Sequence, residues 1–203
     1  MRIKNVIFDI GGVLLLFNPR EYLKKHLEDH EQASRLYQTV FKSDEWKALD
    51  RGTIGEKEAI ERMCEKHPEL ADSIREIMGR IVDIFVPIEG TIDIMKKLKE
   101  GGYGIYLLTN FHADVFEKVK KKFEFFNLVD GGVVSSHVKL LKPEREIYEC
   151  IIRRYSLDPL ETVFIDDTPE NVEGAKSVGL HAILFESPLK LKEELKRLGV
   201  SVD

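Results

Sequence analysis

The sequence predicts a doubly wound α/β core built on a parallel sheet and interrupted early by a helical insertion. Three observations carry this. Short apolar runs rich in β-branched residues open at Ile3 and recur at 104–109, 132–136, 162–165 and 181–185, the pattern of strands buried on both faces of a parallel sheet. From Thr91 onward these runs alternate with amphipathic helical stretches, and such alternation implies parallel strands joined by right-handed crossovers. Between about 18 and 85 the apolar spacing is helical throughout, with no strand-like segment.

Each element follows from its own signal. The first strand runs into Asp9, and Gly11-Gly12 then turn the backbone. Asn18-Pro19 reads as a helix start, Asn at the cap and Pro at the first helical position. Leu23, Leu27, Leu36, Val40 and Phe41 fit one or two amphipathic helices, and Trp46 and Leu49 a further short one. Asp50, Arg51 and Gly52 are expected in a loop. Thr53 and Glu56 have the spacing of a capping box, and His67-Pro68 ends the helix they would start. Ile74, Ile77, Met78, Ile81, Val82 and Phe85 form one more stripe. Past it, helices are expected over 91–100, closed by Gly101-Gly102, over 113–123, after Lys142-Pro143, from Pro169 to about Gly179, and over 189–198. Residues 200–203 read as an untethered tail. The expected organisation is a core of 1–17 and 86–203 with a helical cap of 18–85, placed where it can close over the sheet's carboxyl edge.

Composition narrows the function. The chain has 203 residues, 43% hydrophobic and 33% charged, which suits a soluble globule with an ample core. A net charge of -5 gives no electrostatic footprint for nucleic acid. The basic cluster Lys118–Lys122 is interleaved with apolar residues and reads as the solvated face of a helix. Cys64 and Cys150 sit in helical patterns without metal-ligand spacing, as reduced thiols in a cytoplasmic protein do. Arg2 and Lys4 precede an apolar run, but Asp9 interrupts it and no small-residue cleavage site follows, so no leader is expected. No stretch is long enough to span a membrane.

Four strand ends or following loops carry polar residues out of apolar context: Asp9, Thr109-Asn110, Lys142 and Asp166-Asp167. In open α/β sheets ligands bind at these carboxyl ends. Brought together, the carboxylates repel one another unless a cation joins them, and hard oxygen ligands suit magnesium. The Thr109 hydroxyl, the amide after it and the Lys142 ammonium then offer donors and charge to a tetrahedral dianion. The ligand this implies is a phosphate group, with Asp9 as nucleophile toward phosphorus. Each residue also has an ordinary alternative: a surface lysine before proline, a threonine capping the next helix, a loop with a helix-start aspartate.

The set Phe8-Asp-Ile-Gly-Gly-Val-Leu14, Leu107-Leu-Thr-Asn110, Lys142-Pro143 and Phe164-Ile-Asp-Asp167, with Asn171, Gly174 and Ala175, resembles the haloacid dehalogenase-like hydrolases over essentially the whole chain. The resemblance implies a Rossmann-like core with a helical cap and a magnesium-dependent phosphatase acting through an aspartyl-phosphate. By it Asp9 is nucleophile, Thr109 and Asn110 bind phosphate, and Lys142 balances charge. Asp9, the Gly11 carbonyl, Asp166 and Asp167 serve the metal. The substrate it implies is a small phosphorylated metabolite, a sugar phosphate in the branch this chain is most similar to.

One position departs from the pattern. Most phosphatases of the family carry a second aspartate two residues after the nucleophile as general acid and base, and here Gly11 stands there. A positioned acid or base is worth about 10²–10⁴-fold, so nucleophile and metal still leave room for catalysis. A good leaving group, or a proton donor from the cap, then fills the gap. Asp50, Arg51 and Trp46 are the cap candidates, with His26, His30 and His112 as further ones. Alternatives are a 2-haloacid dehalogenase, disfavoured by Asp166-Asp167; a phosphomutase, disfavoured by Gly11; a phosphoacceptor receiver domain, whose acidic pair comes first; and a non-catalytic phosphometabolite-binding protein.

Overall fold

The structure is a computed structural model and describes residues 2–202. Five strands, β1 (Asn5–Phe8), β4 (Gly104–Thr109), β5 (Gly131–Val134), β6 (Thr162–Asp166) and β7 (His181–Leu184), form one parallel sheet in the order β5-β4-β1-β6-β7. Their side chains alternate between two packed layers, as the twofold period of a strand requires. Ile7, Leu108, Val133 and Phe164 face α9 (Arg145–Tyr155) and α10 (Pro169–Ser177). Val6, Phe8, Leu107 and Ile165 face the layer holding α6 (Glu89–Glu100), α7 (Ala113–Lys122) and α11 (Pro188–Arg197).

β1 lies between β4 and β6, with Phe8 level with Leu107 and Ile165. The chain order reverses direction across the sheet at this strand, so a crevice opens beyond its carboxyl end. Asp9, Thr109 and Asp166 stand at that edge on three adjacent strands.

The chain leaves the core through β2 (Leu15–Phe17) and returns through β3 (Phe85–Pro87), an antiparallel ribbon that pairs Phe17 with Phe85. Between them lie α1 (Pro19–His26), α2 (His30–Phe41), α3 (Asp44–Arg51), α4 (Glu56–Lys66) and α5 (Ala71–Gly79). Asn18 caps α1 through the Glu21 N–H, as expected, with Pro19 at its first position.

Several local expectations are corrected. The ribbon strands were hidden, β2 inside the opening apolar run and β3 inside the last apolar stripe. That stripe is one helix only as far as Gly79; Ile81–Ile84 is a 3₁₀ turn. No capping box starts α4: the Thr53 hydroxyl donates to the Ala48 carbonyl, and Gly55 takes the cap position without a side-chain bond. Asp50 and Arg51 are not in a loop but end α3, where Gly52 closes the helix at φ 72°. A Cβ on Gly52 would lie 2.1 Å from the Ser136 carbonyl oxygen, so this glycine lets the helix end dock on α8 (Ser135–Val138). Val200 and Val202 are buried in the core instead of trailing free, with the Val200 N–H bonded to Leu195; Asp203 lies outside the described residues. Among those residues no helix is long and apolar enough to cross a membrane.

Candidate active site

Asp9 follows β1 directly and is almost fully buried. Its backbone N–H continues the β1–β6 ladder to Ile165, and its Oδ1 accepts from the Ile10 N–H at 2.7 Å, which fixes the carboxylate. Lys142 Nζ reaches Asp9 Oδ1 at 2.9 Å and Asp166 Oδ2 at 2.6 Å, bridging the two acids. Asp166 has no exposure and is held further by the Thr168 N–H at 2.8 Å and the Asn171 amide at 3.0 and 3.1 Å. The Lys142 backbone is clamped in turn by Asn110, whose Oδ1 accepts the Lys142 N–H and whose Nδ2 donates to the Lys142 carbonyl.

The electrostatics follow from this packing. Burial pushes the Asp9 carboxyl up to about 7; Lys142 and the Thr109 hydroxyl oppose the rise and Asp166 adds to it. Burial alone would lower Lys142, but Asp9 and Asp166 outweigh it and hold the ammonium above its ordinary value. Asp167 is raised by burial and by Asp166. One lysine thus faces three acids.

That surplus is what a cation would answer. Asp9, Asp166 and Asp167 each offer a carboxylate oxygen, all within 4.8 Å of one another. Hard oxygens at this separation suit a divalent ion such as magnesium, and a second positive centre would relieve the burial that disfavours ionised Asp9. Gly12 shapes the site: at φ 77° it presents bare backbone to Asp167, where a Cβ would sit 2.1 Å from the carboxylate. Gly11 has open space at its Cβ position.

Above these charges is a cavity of about 180 Å³ lined by Asp9, Gly11 and Asn110 below and by aromatic side chains above. Phe17 from β2 stacks on Phe85 from β3 at 4.7 Å and on Trp46 from α3 at 6.0 Å. Phe85 stacks on Phe111 at 5.3 Å. Asp50 and His112 make one polar corner. His112 is buried with its ring 4.1 Å from Trp46, and its Nε2 lies 3.1 Å from Asp50 Oδ1 but out of hydrogen-bond alignment, so it has no hydrogen-bonded partner.

The structure brings together Asp9, Gly11, Thr109, Asn110, Lys142, Asp166 and Asp167, and it adds Trp46 and Asp50 from the inserted helices. Arg51 is directed elsewhere: its guanidinium pairs with Glu144 and reaches the Lys139 carbonyl. His26 and His30 are exposed on other helices. Sequence reasoning missed Ser135, whose hydroxyl donates to the Asp50 carbonyl and accepts the Phe111 N–H, tying α3 to the loop that carries His112. It also missed the aromatic layer, for which Phe17 and Phe111 beside the two motifs were the available signal.

Known proteins agree with this architecture. The profile of haloacid dehalogenase-like hydrolases matches residues 3–179. The chain is 27% identical to the sesquiterpene phosphatase astK of Aspergillus oryzae, over 96% of each protein. It is 22% identical to a D-ribitol-5-phosphate phosphatase of Bacteroides thetaiotaomicron, over 95% of this chain and 97% of that one. Among solved structures, a haloacid dehalogenase family enzyme from Bacteroides thetaiotaomicron in complex with magnesium and inorganic phosphate superposes with a TM-score of 0.73 at 24% identity, covering 91% of this chain and 95% of that one. With its parallel core, inserted helices and acidic strand ends accounted for, the chain belongs to the haloacid dehalogenase-like hydrolases.

Proposed function

We propose that this hydrolase is a magnesium-dependent phosphatase of a small phosphorylated metabolite, with residues 18–85 as its cap and Asp9 as its nucleophile. The observation that carries the reading is the trio Asp9, Asp166 and Asp167 within 4.8 Å, two of them held by Lys142 and one, Asp9, at the floor of a cavity. Two full-length relatives named as phosphatases support it.

Asp9, Asp166, Asp167 and the Gly11 carbonyl would hold the ion, which when bound supplies charge stabilisation to the phosphoryl oxygens. Lys142 adds a fixed positive charge, and Thr109 and Asn110, at the end of β4, face the same phosphoryl group. Asp9 attacks phosphorus; its Oδ–P bond forms as the ester P–O bond breaks. The departing oxygen needs a proton, and Gly11 has no side chain to give one. Asp50 and His112 line the cavity on one side of Asp9 and Tyr37 and Lys42 the cavity on the other; of these, the carboxyl and imidazole of the Asp50–His112 corner are the acid and base suited to donate it. Water then attacks the aspartyl-phosphate and gives its proton back to the Asp50–His112 pair, the P–Oδ bond breaks, and inorganic phosphate leaves with Asp9 and the pair restored.

The test is phosphate release from a panel of phosphorylated metabolites with magnesium or chelator. The expected outcome is metal-dependent release that vanishes in Asp9→Asn. Release that persists in that variant would sink the nucleophile assignment, and no release from any ester would move the chain to the non-catalytic reading.

A further inference from the structure

The walls of the cavity and its floor ask for different chemistry. Asp9 and Gly11 below suit a phosphate. Phe17, Trp46, Ile81, Phe85, Phe111 and Val115 around the rest suit carbon. Resting on the phosphatase reading above, we infer that the leaving group taken here is a compact apolar alcohol, aromatic or branched and of about benzene size, in place of the sugar implied by the sequence resemblance.

Two observations carry this beyond a count of rings. The first is the supply of polar partners. A sugar phosphate brings several hydroxyls, and each one taken from water must find a new partner or be buried at a cost. The walls of this lobe offer one polar corner, Asp50 with His112; the polar side chains Lys42, Thr168 and Asn171 line the separate cavity on the other side of Asp9. The Asn110 amide lies at the edge, but its oxygen and one of its N–H groups already hold the Lys142 backbone. Aromatic faces do stack on the C–H faces of sugars, yet that mode needs polar groups around the ring edge. Here the other residues lining this lobe include Ile81, Phe85 and Val115. The second observation is size. The apolar lobe of about 180 Å³ compares with the roughly 150 Å³ apolar cavity that accommodates benzene, while the second cavity of about 480 Å³, lined by Lys42, Lys142, Asp167, Thr168 and Asn171, opens from the same Asp9 and Gly11 and suits the phosphoryl group and water. The aromatic side chains that bound it are interlocked, Phe17 on Phe85, Phe85 on Phe111 and Trp46 on His112, so the wall is preformed for such a group.

The experiment compares esters of primary alcohols, so that leaving-group acidity does not decide the result. Benzyl phosphate and 3-methylbutyl phosphate are set against ribose 5-phosphate and glycerol 3-phosphate, each with magnesium. The apolar esters are expected to exceed the others in kcat/KM by about tenfold or more, since single methylenes in apolar pockets discriminate by about 10–200-fold. Trp46→Gln, which puts an amide in the wall, should narrow that ratio. A second readout does not depend on turnover. Trp46 is the chain's single tryptophan, so its fluorescence should respond to benzylphosphonate at lower concentration than to 2-hydroxyethylphosphonate. Release that favours ribose 5-phosphate or glycerol 3-phosphate overturns this inference and leaves the phosphatase reading standing. Absence of release from all four, with no fluorescence response to either phosphonate, also overturns this inference, and the phosphatase reading is then decided by the metabolite panel and Asp9→Asn.

Discussion

The floor and the roof of the cavity are built on opposite principles. In the floor three charges are buried and shared, with only Asp167 exposed beside them: Lys142 serves both Asp9 and Asp166, Asn171 and the Thr168 N–H hold Asp166, and Asn110 holds the Lys142 backbone. The roof is largely apolar, and the inserted helices are tied to the rest of the chain by partly exposed ion pairs: Arg51 with Glu144, Lys118 with Glu56, Lys122 with Asp83. Breaking one floor contact strands another charge in a dry environment, where it is costly. Breaking one roof contact loses a screened surface interaction. The buried charges are therefore locked in place at the sheet's carboxyl edge, whereas the ion pairs that join the inserted helices to the core tolerate change.

The sharpest way to break this contrast is Lys142→Met. With chelator present, the variant leaves Asp9 and Asp166 facing each other without their shared cation. Removing one partner of a buried pair costs about 3–5 kcal/mol. For a chain of this size that is a fall in Tm of about 6–20 °C, together with loss of turnover. A change below about 1 kcal/mol in urea unfolding would show that the floor is not electrostatically locked.

Next in size is the pH response of the metal-free protein. The Asp9 carboxyl is raised from 3.8 to about 7 in the fold, so the native state binds the proton more tightly than the unfolded chain does. The stabilising contribution is fully present below about 3.8 and is lost as pH rises through 7. The loss is on the order of 4 kcal/mol from this group. Asp9→Asn removes the titrating group, so its stability in chelator should be flatter across pH 4–8 than that of the wild type. Magnesium competes with the proton for the same oxygens, so its stabilising effect should be larger at pH 8 than at pH 5.5. Equal thermal shifts at the two pH values would place the ion away from Asp9.

A third prediction concerns the roof's one polar corner. Asp50→Asn keeps the size of the side chain and removes its charge beside His112. Turnover of alkyl esters should fall by about 10²-fold, the lower end for a positioned acid or base, while aryl esters with better leaving groups lose less. The slope of log kcat against leaving-group pKa should steepen. An unchanged slope would remove Asp50 and His112 from the proton path. In the converse variant, Gly11→Asp, the new Cβ enters open space, and the added carboxyl should restore alkyl-ester turnover to Asp50→Asn.

The same contrast explains what was legible in the sequence. The sheet was, because its central strands are buried on both faces and announce themselves as unbroken apolar runs. The acidic strand ends stood out against those runs, so Asp9, Thr109, Lys142 and Asp166 were visible as a set. The ribbon was not, because three-residue strands give no measurable period; Phe85 fits a helical stripe as well as it fits a pair with Phe17. Asp50 and Arg51 were read as a loop because Gly52 looked like a turn, whereas a glycine with positive φ is also how helices end. The buried Val200 and Val202 depend on a surface supplied by the rest of the core, which no local pattern records. The double use of Asn110 and the tie made by Ser135 arise from side chains meeting across 24 to 85 positions.

The smallest expected effect tests the roof's fastening. Arg51 pairs with Glu144 in a two-pronged contact, with side chains about one-third exposed. Solvent screening limits such a pair to about 1 kcal/mol or less, so Arg51→Ala should lower Tm by no more than about 2–4 °C. Yet Glu144 Oε2 also accepts the Leu141 N–H, and the next residue is Lys142. Arg51 therefore links the end of α3, where Asp50 sits, to the loop that delivers the floor's cation. Loss of the link should raise KM several-fold for substrates that fill the cavity while leaving kcat within about twofold, because the floor's own contacts are untouched. A fall in kcat with KM unchanged would mean that the roof helps to hold Lys142 in place, and that floor and roof are less independent than their construction implies.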